Sequence, residues 1–429
     1  MPSFLPKILR DQRGNTLLIA AVVMPLVVGC AGLASDTIQW TMWKRQLQRA
    51  ADSAAIAGVY NRESASGLTT TTPTAVTHDL GLNLHTWMAL TTGYPVVTYP
   101  ADTKTKDNLV KVSLAVQQPL PFSSMFMSAA PIIVANATAA AIPTGGDACV
   151  QALETSGSQT GITNSGNTTI DAPNCVMYSN SPSTNSASAG GSASVNVKAI
   201  AAVGGIAQSN NWTVQQYLPY SPALPDPFSS ITPDPTDMRC SASALDANTN
   251  IAAAVASGTN CWSSLSVGAN KTLNMAGFTG PIYINGGSAD LKGTFNCVSC
   301  TVVLTNKSTA ANATIGTLSS NAQAANNISA PLTGTFAGLA FYQDRRATGN
   351  VNKINGGSSS VISGAVYFPS DILWVNGSGG GTQLCAMIVA RRVVFTGNSS
   401  LSLKNASDAS CAASGLPQNG TVRIIRLVA

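Results

Sequence analysis

The chain has few charged residues and lacks, over most of its length, the side chains that hydrolytic catalysis needs. Of its 429 residues, 10% are charged and two are histidines, and residues 155 to 429 contain neither histidine nor glutamate. A serine, histidine and acid triad therefore cannot be assembled there. Glycoside hydrolysis needs paired carboxylates and lyase chemistry needs an acidic calcium site, yet Asp290, Asp344, Asp371 and Asp408 are irregularly spaced. These absences predict a protein that is not an enzyme.

Positive charge is also sparse. The formal net charge is +5, and no block of lysine and arginine with interleaved aromatic residues occurs. Nucleic-acid binding relies on such clusters, so no nucleic-acid partner is expected. The pairs Arg345-Arg346 and Arg391-Arg392 are interpreted as exposed ion-pairing groups, with a docking or glycan-contacting patch as the alternative.

The chain has nine cysteines, of which Cys30 lies in an apolar run. The remaining eight are an even number, which favours disulfides formed in an oxidising compartment. Connectivity stays open, although joining neighbours in sequence closes the shortest loops: Cys149 with Cys175, Cys240 with Cys261, Cys297 with Cys300 and Cys385 with Cys411. A redox site or half a zinc site at Cys297 and Cys300 is the alternative. The strand-like flanks and the absence of later histidines favour a structural bond.

The apolar run is uncharged from Thr16 to Ala34. Nineteen helical residues reach about 28 Å, which is enough to cross the hydrocarbon layer. The sequence therefore predicts a span over about residues 14–36, with the N-terminus cytoplasmic. Asp36 is expected to be a solvated residue at the end of the span. Four residues are predicted to lie at the outer membrane interface: Trp40, Trp43, Lys44 and Arg45.

Two features bear on whether this span is kept. Val27 to Cys30 is similar to a lipobox, and cleavage there would leave a lipidated Cys30 and no span. The following segment instead predicts a continuous stem helix from Lys44 to Ala57. Its small or apolar residues recur every three or four positions and would let another helix pack closely: Leu47, Ala50, Ala51, Ala54 and Ala57.

These segments together resemble a known family. Four segments resemble the N-terminal region of TadG-like proteins of the Tad (Flp) pilus-assembly system. They are Arg13-Gly14-Asn15, Met24-Pro25, residues 43–48 (WKRQLQ) and residues 50–55 (AADSAA). TadE-type members are cleaved after a glycine that precedes a glutamate five residues on. Here Ile19 stands at that distance from Gly14, so the span is expected to be retained.

The resemblance implies a scaffold or pseudopilin-like component of pilus assembly. Its partners would be the inner membrane and other Tad pilus-assembly or pilin-like proteins. The chain would cross the bacterial inner membrane once, with its bulk periplasmic or extracellular. No cofactor or metal is implied. An envelope-anchored adhesin or glycan-binding β-helix protein is the alternative function.

Residues 63–143 predict a small α+β domain. A helix is expected from Ala75 to Leu90, followed by three strands: Val96–Tyr99, Leu109–Val116 and Pro131–Ala141. In the second strand, apolar residues at 110, 112, 114 and 116 alternate with Lys111, Ser113, Ala115 and Gln117, as in a half-buried strand. His78 and His85 lie on one face of that helix. Metal pairs on helices usually stand three or four residues apart, so ordinary histidines are the better interpretation.

Residues 144–429 are rich in glycine, serine, threonine and asparagine. Ile284-Asn285-Gly286 is followed by similar segments at 304–306, 354–358, 375–378 and 395–398, which indicates a period near 20 residues with a break between 306 and 354. This period is typical of stacked β-helical coils. The predicted fold class is therefore mainly β: a membrane and stem helix (residues 1–62), the α+β domain, and a disulfide-bonded β-solenoid, with a β-sandwich or barrel as the alternative. Six prolines in Pro219 to Pro235 predict a strap along the solenoid.

Overall fold

The computed structural model describes residues 15–144, 146–355, 360–417 and 422–428. The described residues form two compact units, one from residues 15–142 with 425–428 and the other from the described residues between 143 and 424. Two predicted features lie outside the described residues: the cytoplasmic tip before residue 15, which includes Gly14, and Gly356 to Ser358 of the predicted repeat.

The first unit combines helices with a small sheet. Its helices are α1 (Asn15–Ser64) and α2 (Thr72–Asn83), with a 3-10 turn at Ser123–Met125. Its strands are β1 (Val96–Thr98), β2 (Asp107–Gln117), β3 (Ile132–Pro143) and, joined to β3, the last strand of the chain, Arg423–Leu427. The β1–β2 and β2–β3 pairs are antiparallel.

The predicted helix from Ala75 to Leu90 is too long. Helix α2 begins at Thr72, with proline in its first turn, and ends at Asn83. It stops there because Leu84 takes an extended backbone while its N–H still bonds the carbonyl of Leu80. The alternation predicted for the second strand is found in β2, where Val110, Val112 and Leu114 are fully buried against α1 and α2.

The second unit consists of short strands. They are β4 (Ala148–Ala152), β5 (Ile162–Asn164), β6 (Thr169–Ser179), β7 (Ala187–Ala189), β8 (Ser194–Ala202), β9 (Trp212–Leu218), β10 (Leu245–Asp246), β11 (Cys261–Trp262), β12 (Leu265–Val267), β13 (Thr272–Asn274), β14 (Gly280–Asn285), β15 (Ala289–Leu291), β16 (Thr294–Val298), β17 (Cys300–Thr305), β18 (Leu318–Ser320), β19 (Ala325–Ser329), β20 (Leu339–Gln343), β21 (Val351–Asn355) and the long, bent β22 (Val361–Lys404). A short helix α3 (Ile251–Ser257) and 3-10 turns at Pro235–Asp237 and Ala409–Ser414 complete it.

These strands stack in parallel as three faces of a β-solenoid. One face runs through β11, β14, β17, β20 and β22, a second through β10, β12, β15, β18, β21 and β22, and a third through β13, β16, β19 and β22. Ile282 pairs with Val302, which pairs with Phe341, and all three are buried. The mainly β, disulfide-bonded fold predicted from the sequence is confirmed. Its parallel pairing also excludes the β-sandwich alternative, since sandwich sheets are antiparallel.

The order of coils in the stack differs from their order in the chain. The end of β22 pairs in parallel with β4, β5 and β6, and the stack continues through β8 to β9. Strands β4–β9 therefore extend the stack beyond β22, although they precede β10 in the sequence. The chain leaves the last coil at Leu218 and enters the first coil at Cys240, at the opposite end of the stack.

The proline-rich segment spans this distance. We call residues 219–239 the strap. The coils hold it in order: Tyr178 donates its hydroxyl hydrogen bond to the Pro222 carbonyl, Asn180 and Gln151 donate to the Leu224 carbonyl at 2.8 and 2.9 Å, and Tyr342 donates to the Ile231 carbonyl at 2.9 Å. Proline lacks an N–H and resists strand pairing, so these bonds are made to strap carbonyl groups. The N–H groups of Tyr220, Ser221 and Leu224 also donate to the coils.

The near-20 period holds for some coils and fails for others. Ile284 pairs with Leu304, and Ile354 with Val375, as the pattern predicts. Ile284 and Ile354, however, lie on different faces, in β14 and β21, so the two Ile-Asn-Gly segments do not stack. Val303 pairs with Tyr342, which shows that a much longer coil occupies the predicted break.

The four disulfides join the neighbouring cysteines that give the shortest loops. They are Cys149–Cys175, Cys240–Cys261, Cys297–Cys300 and Cys385–Cys411. Cys297–Cys300 links consecutive strands β16 and β17 within the buried core, which makes it a structural bond. Cys240–Cys261 fastens the end of the strap to the first coil.

Candidate functional site

Helix α1 changes character along its length. Its first part exposes apolar side chains all round, including Ile19, Val22, Met24 and Leu26. Its most apolar stretch of 18 residues is 6% buried, and α1 is the one helix among the described residues with the length and composition to cross a membrane. A helix that is apolar on every side and not covered by protein suits a lipid environment.

Asp36 lies where the apolar part ends, and its predicted solvation is wrong. Its side chain is 3% exposed, and its carboxylate accepts hydrogen bonds from the Phe122 N–H at 2.9 Å and from the N–H and hydroxyl of Ser123. The loop between β2 and β3 folds over this part of α1. A carboxylate close to lipid is stabilised by such donors, because an unpaired charge there is costly.

We call this loop, residues 118–131, the collar loop. Its Phe122 ring packs directly on Gly32, where a Cβ atom would lie 2.2 Å from Phe122 Cδ2. Glycine therefore allows the close approach that brings the collar loop to Asp36. The sequence interpretation missed this contact. One available signal was the absence of Asp, Glu, Lys and Arg from residues 112–146, which is unusual for a surface segment.

The four predicted interface residues differ in exposure. Trp40 is 40% exposed and Arg45 is exposed. Trp43 is 8% exposed and belongs to the core of the first unit, and its ring centroid lies 6.4 Å from that of the exposed Trp87. This burial corrects the assignment of Trp43 to the membrane interface. Lys44 is half-buried and donates to the Val134 carbonyl. The interface role of Trp40 and Arg45 stays a prediction.

The stem residues belong to the protein's own core. Leu47, Ala50, Ala51 and Ala54 are at most 1% exposed and pack in one cluster with residues of α2 and β2, while Ala57 is half-buried. Gly58 lies at the same contact, where an added Cβ would stand 2.8 Å from Val110 Cγ1. The small residues therefore allow α1 to pack against its own domain, and their predicted contact with a partner helix stays untested.

Cys30 is exposed and makes no disulfide, and α1 runs through it without interruption. If the span is retained, the unreduced chain in detergent reacts with one maleimide per molecule, and with nine after reduction and unfolding. Intact mass spectrometry measures both. A lipidated chain would instead show no reaction before reduction, a lipid mass and the loss of the residues before Cys30.

The histidines show no shared site. His78 lies in α2, whereas His85 follows the helix and stacks on Trp87 with ring centroids 5.8 Å apart. Their predicted placement on one helix face is therefore wrong, because α2 ends before His85.

The aspartates of the solenoid each have a structural partner. Asp371 is fully buried and accepts from Gln343 at 2.8 Å and Asn352 at 3.1 Å. Burial alone raises the pKa of Asp344, but hydrogen bonds from Arg346 and Thr305 outweigh it and hold the pKa below its ordinary value. Asp290 pairs with Lys292 at the surface, and Asp408 caps the 3-10 turn at Ala409–Ser414.

The two predicted arginine clusters are likewise occupied. Arg345 and Arg346 bind Asp226 and Asp344. Arg391 lies 3.4 Å from Glu154, and Arg392 donates to Gln159. Each of these arginines is engaged with the solenoid or its strap. The ion-pair interpretation describes Arg345, Arg346 and Arg391, whereas Arg392 bonds uncharged oxygen atoms. A docking or glycan-contacting role stays a prediction.

The geometry defines a class before any comparison. A long exposed apolar helix that continues into a domain core, on a chain carrying a disulfide-bonded solenoid, is the architecture of a membrane-anchored envelope protein. Residues 14–62 match the family model described as "Putative Flp pilus-assembly TadE/G-like", which covers α1 almost completely. The resemblance found in the sequence is thereby confirmed for this segment. Neither the curated proteins nor the solved structures contain a match to the chain.

Proposed function

We propose that this protein is a non-catalytic, membrane-anchored scaffold component of Flp-type pilus assembly. One observation carries the proposal: the TadE/G-like match over residues 14–62 covers the same segment as helix α1. That helix is exposed and apolar at one end and forms part of a domain core at the other. The matched segment thus supplies both the anchor and its attachment to a folded domain.

The disulfides support the compartment that the proposal requires. Four bonds in one chain favour oxidising conditions. In this proposal α1 passes once through the inner membrane, the N-terminus is cytoplasmic and the bulk of the chain lies on the outer side. The folded units would then be available to pilus subunits at the outer face of that membrane.

A structural rather than chemical role fits the solenoid. Its interior is filled by a continuous apolar core, and Asp290 and Asp344 form ion pairs while Asp371 accepts buried hydrogen bonds. Within the described residues no three His, Cys, Asp or Glu side chains are grouped as a metal site would require. Stacked coils offer long parallel surfaces for protein contacts instead.

The proposal is tested by deleting the gene for this chain and counting surface pili by electron microscopy. We expect few or no pili, restored by the full-length chain. A matched control restores the strain with Gly190→Ala, because a Cβ at this position meets nothing within 4 Å and should restore piliation equally. Cellular pilin should persist in the deletion strain, which separates assembly from expression. Normal piliation without the chain would refute the assembly role.

A second function has one supporting observation. Trp374 is 38% exposed on the solenoid, and the Lys353 ammonium lies 5.6 Å from its ring centroid on the neighbouring coil. An exposed aromatic ring beside a cation is a usual platform for sugar rings, which favours glycan binding or adhesion. The same deletion strain separates the functions, since an adhesin mutant keeps its pili and loses surface attachment.

A further inference from the structure

We propose that the collar loop is a second membrane contact, in which Met125, Phe126 and Met127 enter the lipid headgroup and upper acyl region beside the outer end of α1. The inference rests on the proposed span, because α1 sets where the bilayer lies. It concerns lipid binding by a part of the chain outside the TadE/G-like segment.

The first observation is exposure. Met125 is 75% exposed, Phe126 is 76% exposed and Met127 is 51% exposed, and these three large apolar side chains are consecutive. Earlier in the same loop, Leu120 is 8% exposed and packs in the domain core. The loop therefore has one end anchored in protein and an apolar tip directed away from it. Such a tip in water is unfavourable by its unburied apolar area.

The second observation is position. The Phe122 ring packs on Gly32, and the Phe126 ring centroid is 5.3 Å from that of Phe122. The hydrogen bonds from Phe122 and Ser123 to Asp36 hold the base of the tip against the same turn of α1. The uncharged run ends at Ala34, between the two contacts, and the predicted span ends at about residue 36. The apolar tip is therefore fixed at the level where the span leaves the hydrocarbon.

The third observation is chemical continuity. Leu33 and Ile38 of α1 are 58% and 61% exposed, so apolar surface continues along the helix past the collar loop. No charged residue lies in the collar loop, and Asp36 is the one charge on α1 between Arg13 and Lys44. Its burial under the collar loop removes that charge from the surface. An uncharged apolar surface next to a span matches lipid, which solvates methionine and phenylalanine side chains and no ions.

Collision-based electron paramagnetic resonance tests this placement. The full chain with Cys30→Ala carries a nitroxide at Phe126→Cys in vesicles of phosphatidylethanolamine and phosphatidylglycerol. Because the other eight cysteines form disulfides, one label attaches per chain. We expect oxygen, which concentrates in lipid, to relax this label severalfold more than a water-soluble nickel chelate does.

Two sites provide matched references. Met24→Cys, 70% exposed in the span, should give the lipid value. The second reference is Leu82→Cys, because Leu82 is 73% exposed in α2. Its neighbour Asn83 donates a hydrogen bond to Ser53, which shows the level of α1 that this site lies beside. Ser53 is about 25 Å beyond Asp36 along the helix at 1.5 Å per residue, so this label should give the water value.

The outcomes are distinct. A Phe126→Cys label that behaves like Leu82→Cys overturns the proposal, and so does one shielded from both reagents, since that indicates contact with a second copy of the chain. If the Met24→Cys label also reports water, the span itself is refuted, which separates failure of the anchor from failure of the collar loop. Near-UV circular dichroism of each variant checks that the fold is retained.

Discussion

Replacing Gly287 with alanine is expected to lower the thermal unfolding midpoint of the full chain strongly. A Cβ atom at Gly287 would lie 2.0 Å from the Ser263 carbonyl oxygen, which is backbone of the neighbouring coil. On the other side, a Cβ at Gly316 would lie 1.8 Å from the Gly287 carbonyl oxygen. These glycines stack at one corner of successive coils. Backbone cannot rotate away as a side chain can, so the coils would have to separate. We expect a loss of about 3 kcal/mol or more.

Gly190→Ala is the matched control. Neither glycine has the positive φ that strains other residues, and a Cβ at Gly190 meets nothing within 4 Å. The two variants add the same methyl group and differ in space alone. Unfolding followed by near-UV circular dichroism in detergent should show a lower midpoint for Gly287→Ala and an unchanged one for Gly190→Ala. Equal midpoints would show that the coils do not approach as closely as the structure has them.

Replacing Arg345 with alanine is expected to release the middle of the strap. The guanidinium donates to the Asp226 carboxylate at 2.8 Å and to the carbonyl oxygens of Phe228 and Ser229 at 2.8 and 3.0 Å, and it lies 5.3 Å from the centre of the Tyr367 ring. Tyr367 donates its hydroxyl to the same carboxylate at 2.8 Å. Burial, and then the Asp226 charge, raise the pKa of Tyr367, so it stays a neutral donor at neutral pH.

Without Arg345, several strap acceptors lose their donor, and the partly buried Asp226 carboxylate is left with the Tyr367 hydroxyl and the Phe228 N–H. The expected cost is about 2–3 kcal/mol, below that of a fully buried pair because the two side chains are 34% and 19% exposed. Amide hydrogen exchange should rise in residues 222–232. Lys292→Ala removes a surface pair whose side chains are 50% and 40% exposed, so its effect should stay below about 1 kcal/mol and should leave the strap protected. Unchanged protection in Arg345→Ala would mean that the other hydrogen bonds to the strap, together with its prolines, are sufficient to hold it.

Local patterns were sufficient for the parts of the fold that are determined locally. The uncharged run and the Trp-Lys-Arg and Ala-rich segments indicated α1 and the TadE/G-like match, because a helix satisfies its own backbone and needs no distant partner. The alternation at Val110 to Val116 indicated β2 because successive side chains of a strand point to opposite faces, although the strand's backbone partners lie elsewhere in the chain. The evenly paired cysteines indicated an oxidising compartment, and the neighbour pairing matches the bonds found.

The candidate site was only partly predictable. Exposure of the apolar part of α1 follows from composition. The sequence, however, assigned Asp36 to solvent and Trp43 to the membrane interface, and both residues are buried in the structure. Their surroundings come from Ser123 and Trp87, which lie 87 and 44 positions further along the chain. No periodicity in α1 carries information about those partners.

The sequence by itself determined the long apolar helix α1 and the absence of histidine and glutamate beyond residue 154. It also determined the strand-rich solenoid, whose period of about 20 residues is found where Ile284 pairs with Leu304 and Ile354 with Val375. Only the tertiary structure decided that strands β4–β9 stack beyond β22, that the strap therefore returns along the coils, and that the collar loop encloses Asp36. The reason is physical: periodicity reports which side chains of a segment face a core, whereas stacking order and loop contacts depend on which distant backbones approach each other.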